Sequence, residues 1–180
     1  MKTKNIVKYL NSFGKYIVQQ SRSNLTKKKK NASKSLYDSI KFKVVPDKDG
    51  FVVQFFMNNY GAFLDKGVKG TKSNYIENKN TPFSYKTKQP PSGIIEKWIK
   101  RKGLKGRVDK NWKSAGNRGG QFISNKSFAF LVARSIKQKG IKSISFFQRP
   151  LELGMKKFGK DLLGAITTDI TDSLSTTKVN

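Results

Sequence analysis

The chain predicts an α+β fold: an antiparallel β-sheet around a central hairpin, packed by three to four helices, with long extended loops. Three observations carry this. Residues 40–45 alternate apolar and basic side chains, Pro46-Asp47-Lys48-Asp49-Gly50 is a turn sequence, and FVVQFFM at 51–57 is a strand-forming run; together they spell a hairpin. Apolar residues recur at helical spacing near 5–20, 92–103, 126–139 and 150–174, the signature of amphipathic helices. Two polar stretches between them, 68–91 and 104–125, have no apolar period.

In chain order, Ile6, Val7, Leu10, Phe13, Ile17 and Val18 form one stripe, which predicts a helix packed on the domain. Lys2, Lys4, Lys8 and Lys15 accompany it, as a membrane-surface helix would require. Asn and Gln on the polar face favour the packed reading. No uninterrupted apolar stretch or small-residue cleavage site marks a signal peptide, and no apolar run reaches the roughly 20 residues that span a bilayer.

SRSNLTKKKKNAS at 21–33 reads as a polar linker, either solvated or an arm for phosphate or an acidic neighbour. The domain reading is therefore an N-terminal helix and basic arm over 1–32, an α+β domain over 33–176, and a disordered tail over 177–180. After the hairpin, Asn58-Asn59 turns the chain into a one-turn aromatic segment (Tyr60, Ala62, Phe63, Leu64) that breaks at Gly67, followed by a loop with Gly70 and Thr71. The 68–91 stretch carries Tyr75, Ile76, Phe83 and Tyr85 among polar residues. Loops of this length inside a domain are disordered or functional; its aromatics predict order gained against an adjacent subunit.

Ser92 is the expected N-cap of a helix through Ile94, Ile95, Trp98 and Ile99 to Gly103, with Trp98 in the core. Asn125 or Ser127 is the expected cap of the next, whose stripe is Phe128, Leu131, Val132 and Ile136 and whose stop is Gly140. Ile99–Lys105 and Ile136–Lys142 share an Ile-Lys-x-Lys-Gly-apolar-Lys pattern. Each reads as a helix end, with cations at the negative end of the dipole and a glycine cap. Pro150 opens the last helix, with Leu151, Met155, Phe158, Leu162, Ile166, Ile170 and Leu174 on one face.

The chain has 38 Lys and Arg against 11 Asp and Glu, a formal charge of +27, and neither Cys nor His. Disulfides, Cys or His metal sites, His acid–base catalysis and Cys nucleophiles are excluded; no enzyme activity, cofactor or metal is expected. The charge is segregated. Residues 92–149 hold 15 cations and 2 acids, whereas 150–180 hold 4 of each. Such self-repulsion disfavours a compact lone monomer and asks for a polyanion or an acidic protein partner.

Within the basic stretch, Lys97, Lys100, Arg101, Lys102 and Lys105 lead into Arg107, Lys110, Lys113 and Arg118, with Trp98 and Trp112 interleaved. Cations spaced to follow a phosphate backbone, with an exposed aromatic such as Trp112, suit nucleic acid or an acidic protein face. More than 20 residues separate the flanking helices, so this is not a helix-turn-helix. Adjacent aromatics Phe146 and Phe147, ahead of Arg149, could divide between their own core and a neighbouring subunit, or both fill the core. Tyr60 and Phe63 invite the same division. The expected subunit-contact set is therefore Tyr60, Phe63, Tyr75, Phe83, Trp112, Phe146, Phe147 and Arg149.

A hairpin running into Tyr60, Ala62, Asp65, Gly67 and Thr71, and later Phe147-Gln148-Arg149-Pro150 before the last helix, resembles the tailed-phage tail-completion and head–tail joining family. There a hairpin precedes a Tyr-Ala-x-x-x-Glu-x-Gly-Thr segment and an aromatic-x-x-Pro step opens the last helix. The resemblance covers roughly residues 33–175. It departs at Asp65, which replaces Glu, and at Lys66-Gly67-Val68, which delays the Gly-Thr. It implies a structural virion protein: a homo-oligomeric ring of 6 or 12 copies at the neck or upper tail, contacting portal and tail proteins, with genomic DNA in its channel and no membrane. The rival from composition alone is a free, basic nucleic-acid-binding accessory protein.

Overall fold

The computed structural model describes residues 3–30, 32–111 and 113–177. The fold is α+β, with two small antiparallel two-stranded sheets among the helices. The chain forms two compact units: the described residues up to Gly61 together with those from Ser145 onward, and Ala62–Ile144.

The first unit contains α1 (Lys4–Lys27), α2 (Ser35–Ser39), β1 (Lys41–Asp47), β2 (Gly50–Phe56) and α6 (Gln148–Thr177). β1 and β2 pair with Phe42 opposite Phe55, Val44 opposite Val53 and Pro46 opposite Phe51. The period-2 alternation turns these six residues to one face, and α1 packs on the hairpin. Gly14 makes that approach possible: a Cβ there would lie 2.7 Å from Phe42 Cγ. α1 also packs along α6, where the rings of Tyr9, Phe13 and Tyr16 surround Phe158 at centroid distances of 5.6, 5.6 and 5.4 Å. The Tyr9 hydroxyl donates to the Phe158 carbonyl. Ile17 lies over Gly154, where a Cβ would come within 2.5 Å of its Cδ1.

α1 runs to Lys27, through what the sequence presents as linker. Ser21 and Leu25 continue the Phe13–Ile17 stripe at four-residue steps, and all four are buried. Arg22 ties the same turn down, its Nε and Nη2 donating to the carbonyls of Tyr37 and Ile40, each at 3.0 Å. The lysine run is a helix stop. Lys29 takes a left-handed φ of 54°, and the Lys30 N–H reaches back to the Leu25 carbonyl at 3.0 Å, satisfying carbonyls that a helix end leaves orphaned.

α1 begins on a borrowed cap. Thr3, at its N-cap, makes no side-chain capping bond. Instead the buried Asp169 of α6 accepts from the N–H of Asn5 (3.1 Å), the Asn5 amide (2.9 Å) and the N–H of Ile6 (2.9 Å). Burial alone would raise the Asp169 pKa, but these donors hold it below the ordinary aspartate value.

Helix α3 (Tyr60–Lys66) crosses from the first unit into the second, which also contains β3 (Val68–Lys69), α4 (Ser92–Lys102), α5 (Asn125–Lys139) and β4 (Gly140–Ile141). β3 pairs antiparallel with β4. α5 packs on α4, through Ile95, Ile99, Ala129 and Ala133. Phe128, Val132 and Ile136 border that cluster, while Leu131, expected on the buried stripe, is half exposed. Trp98, expected in the core, is exposed too. The alanines explain both changes, because small side chains let two helices approach closely.

The helix starts differ from expectation as well. Pro91, not Ser92, is the N-cap of α4, and Ser124 caps α5 by accepting from the Ser127 N–H at 3.1 Å. Both Ile-Lys-x-Lys-Gly stops end helices, at Gly103 (φ 62°) and Gly140 (φ 82°).

The 68–91 segment takes its order from its own unit. Asn78, in a 3₁₀ turn (Ile76–Asn78), is fully buried. Its Nδ2 donates to the carbonyls of Val68 (3.0 Å) and Ile141 (2.8 Å), and its Oδ1 accepts from the Ser143 N–H (2.8 Å). Thr81 donates to the Gly67 carbonyl at 2.7 Å. The backbone of 71–73 caps α5: N–H groups of Thr71, Lys72 and Ser73 donate to the carbonyls of Lys137 and Gln138. Gly70 fits there because a Cβ would meet the Gly140 nitrogen at 2.6 Å.

Candidate nucleic-acid and partner interface

The basic stretch folds as a ribbon between α4 and α5. Arg107 and Phe122 form an antiparallel bridge. The Val108 N–H donates to Gln121 (3.0 Å), Gly120 to Val108 (2.9 Å) and Ile123 to Gly106 (3.0 Å). Gly106 is required where the ribbon leaves α4, since a Cβ would stand 2.7 Å from the Phe128 ring. A 3₁₀ segment (Lys113–Arg118) forms the ribbon's tip.

The pairing stacks cation on aromatic. The Arg107 guanidinium lies 4.1 Å from the Phe122 ring centroid and Lys105 Nζ 5.6 Å from it; Phe122 stays 57% exposed. An open groove of about 620 Å³ runs beside it. Val108, Ile123, Phe130 and Leu131 supply its apolar lining; Arg107, Arg118 and Lys126 supply positive charge, and Asp109 the one carboxylate among the lining residues. Such a trough accepts a chain that alternates flat or apolar groups with negative charge.

The sequence-predicted cations divide. Arg107 and Arg118 meet in this groove and Lys105 lies against Phe122. Lys97, Lys100, Arg101 and Lys102 are exposed on α4, which contributes only Ser92 to the lining. Lys100 is paired with Glu96 at 2.9 Å. Lys110 lies beneath Gly119-Gly120, with its side chain 3.2 Å from a Cβ at Gly120. Lys113 lies in the 3₁₀ segment. Sequence reasoning missed Lys126, Phe122 and Phe130. Lys126 follows the Ser124 cap, and only the ribbon's register aligns Phe122 with Arg107.

Of the predicted subunit contacts, Tyr60 and Phe63 are exposed, and Phe63 packs edge-on to Phe83 at 4.6 Å. Tyr75 is half-buried and Arg149 exposed. Trp112 lies outside the described residues, as does the 178–180 part of the expected tail. Phe146 is fully buried, so its ring belongs to its own core and is not offered to a neighbour. Phe147 is half-buried, edge-on to Phe55 at 5.3 Å. Of the two arrangements the sequence leaves open for this pair, these contacts fit the one in which both rings fill the core.

Glu77 is held below the ordinary glutamate value by its bond to Lys142, at 2.5 Å. Among the described residues no group of three acids is placed to hold a metal ion, and no helix is long and apolar enough to cross a membrane. No family model, curated protein or solved structure matches the chain.

Proposed function

We propose that this chain is a structural virion protein of a tailed bacteriophage, forming a ring of 6 or 12 copies at the head–tail connector. In this reading it joins portal and head to tail and surrounds the DNA passage, working through surfaces and not a reaction centre. The observation that carries it is the order of parts: a hairpin, a short aromatic helix ending at Gly67, an extended segment, then an aromatic-x-x-Pro step into a long last helix. That order is the one on which the family resemblance rests. Charge adds support. Ala62–Ile144 holds 20 Lys and Arg against 4 acids, a balance suited to a DNA channel or an acidic neighbouring ring.

The test is negative-stain microscopy of the purified protein together with proteomics of purified particles. Rings, and the chain among particle proteins, are expected; a lone species absent from particles overturns the proposal. The Arg107–Phe122 stack favours one second reading, a free nucleic-acid-binding accessory protein. That protein would stay small and bind DNA with an affinity falling steeply with salt.

A further inference from the structure

Along α6, Met155, Leu163, Ile170 and Leu174 are exposed, at 61%, 69%, 42% and 63%. Gly159 and the half-buried Ile166 complete the row. The spacings 155, 159, 163, 166, 170, 174 keep to one face of a helix, a ridge about 28 Å long at 1.5 Å per residue. This face is not the one that meets α1, which lies over Gly154 and Phe158.

Gly159 sharpens the point. Glycine inside a helix costs about 1 kcal/mol relative to alanine. Gly154 has a reason in its own chain, the Ile17 side chain; around Gly159 a Cβ would meet nothing within 4 Å. The vacancy lies within the apolar ridge, between Met155 and Leu163.

From this we infer that α6 is a homodimer interface, in which the ridge pairs antiparallel with the same ridge of a second copy. Two observations select a second copy as occupant. The first is charge. In a chain of formal charge +27, residues 150–180 carry 4 cations and 4 acids. On this helix two like-charged chains meet with least repulsion; Glu152 and Lys156, at its N-terminal end, already pair at 2.9 Å.

The second is register. An antiparallel pair with its two-fold axis between residues 164 and 165 sets Met155 opposite Leu174, Gly159 opposite Ile170, and Leu163 opposite Ile166. Every ridge position then meets another, and the large Ile170 faces the glycine. That self-complementarity is what an isologous two-fold contact demands. The inference does not rest on the neck reading, because a paired α6 can exist with or without a ring closed through other surfaces.

The full-length protein tests it, by sedimentation velocity in 0.5 M salt to screen the charge. A concentration-dependent dimer is expected. Leu163→Asp changes an exposed residue and should weaken association about 100-fold or more, as loss of a central anchor does, while circular dichroism stays unchanged. Gly159→Leu should weaken it comparably by filling the space that receives Ile170.

The chain has no cysteine of its own, so cross-linking reads the register directly. The Gly159→Cys/Ile170→Cys double variant should oxidise to a covalent dimer, and neither single variant should. Within one chain those positions stand about 16 Å apart along the helix, too far for a disulfide. A monomer at every concentration, a Leu163→Asp dimer of wild-type strength, or single variants that cross-link as readily as the double would each overturn the inference.

Discussion

Two helical glycines should respond to the same substitution with opposite signs. Gly14 faces Phe42 so closely that a Cβ lies 2.7 Å from Cγ and nearer still to two other ring atoms. Phe42 is backed by Phe55, its cross-strand partner, at a ring distance of 6.4 Å, so it cannot swing aside freely. Gly14→Ala gains about 1 kcal/mol of helix propensity and incurs about 1–3 kcal/mol of overpacking. With backbone and ring both fixed the upper part of that range applies, and a net loss of about 1–2 kcal/mol is expected.

Gly164 of α6 has nothing within 4 Å of its missing Cβ and lies off the exposed ridge. There Gly164→Ala should gain about 0.5–1 kcal/mol. At about 2–4 °C per kcal/mol for a chain of 180 residues, the first variant melts roughly 2–8 °C lower and the second roughly 1–4 °C higher. Thermal melts followed by circular dichroism, with urea titrations for free energies, read both. If Gly14→Ala melts at or above wild type, the close packing of α1 on the hairpin is refuted.

Three further outcomes follow from the contacts described. Asn78→Ala strands the Val68 and Ile141 carbonyls and the Ser143 N–H, and should destabilise Ala62–Ile144 by about 3 kcal/mol or more; hydrogen exchange at 68–91 rising with no loss of stability would contradict this. Because the folded Asp169 pKa is depressed, its contribution is complete above the ordinary aspartate pKa and disappears as pH falls through the lower folded value. Urea titrations from pH 7 to 3 should therefore show a shallower acid decline in Asp169→Asn, and superimposable declines would remove its capping role. Arg107→Ala with Phe122→Ala should weaken single-stranded DNA binding about tenfold or more and reduce the salt slope by about one phosphate contact; an unchanged slope would place that groove away from nucleic acid.

Much of the architecture was legible where local pattern and tertiary environment agree. The hairpin combines a period of two with a turn sequence, and the two Lys-x-Lys-Gly stops combine cations with a glycine at positive φ. Disagreement has identifiable causes. Ser21 interrupts the apolar stripe of α1, yet it is small enough to be buried between Ile17 and Leu25, so the helix continued where composition said linker. Trp98 is more hydrophobic than Ala129, but a close α4–α5 contact selects small volume over hydrophobicity. Asn78 had no signal at all, because its value lies in carbonyls supplied by residues 10 and 63 positions away. In the candidate interface, sequence found Arg107 and Arg118 but not their neighbours Phe122 and Lys126, since a cation–aromatic stack across a ribbon depends on register.

The Asp169 carboxylate also sets a timetable for biosynthesis. α1 waits for a capping group that α6 supplies, made 164 residues after the Asn5 it caps. The Asn78 node of Ala62–Ile144 closes once Ser143 has emerged. The Asn78 node can therefore close while α1 still waits for α6, and a ribosome that has extruded Ile144 but not yet Asp169 would display that node complete with α1 uncapped.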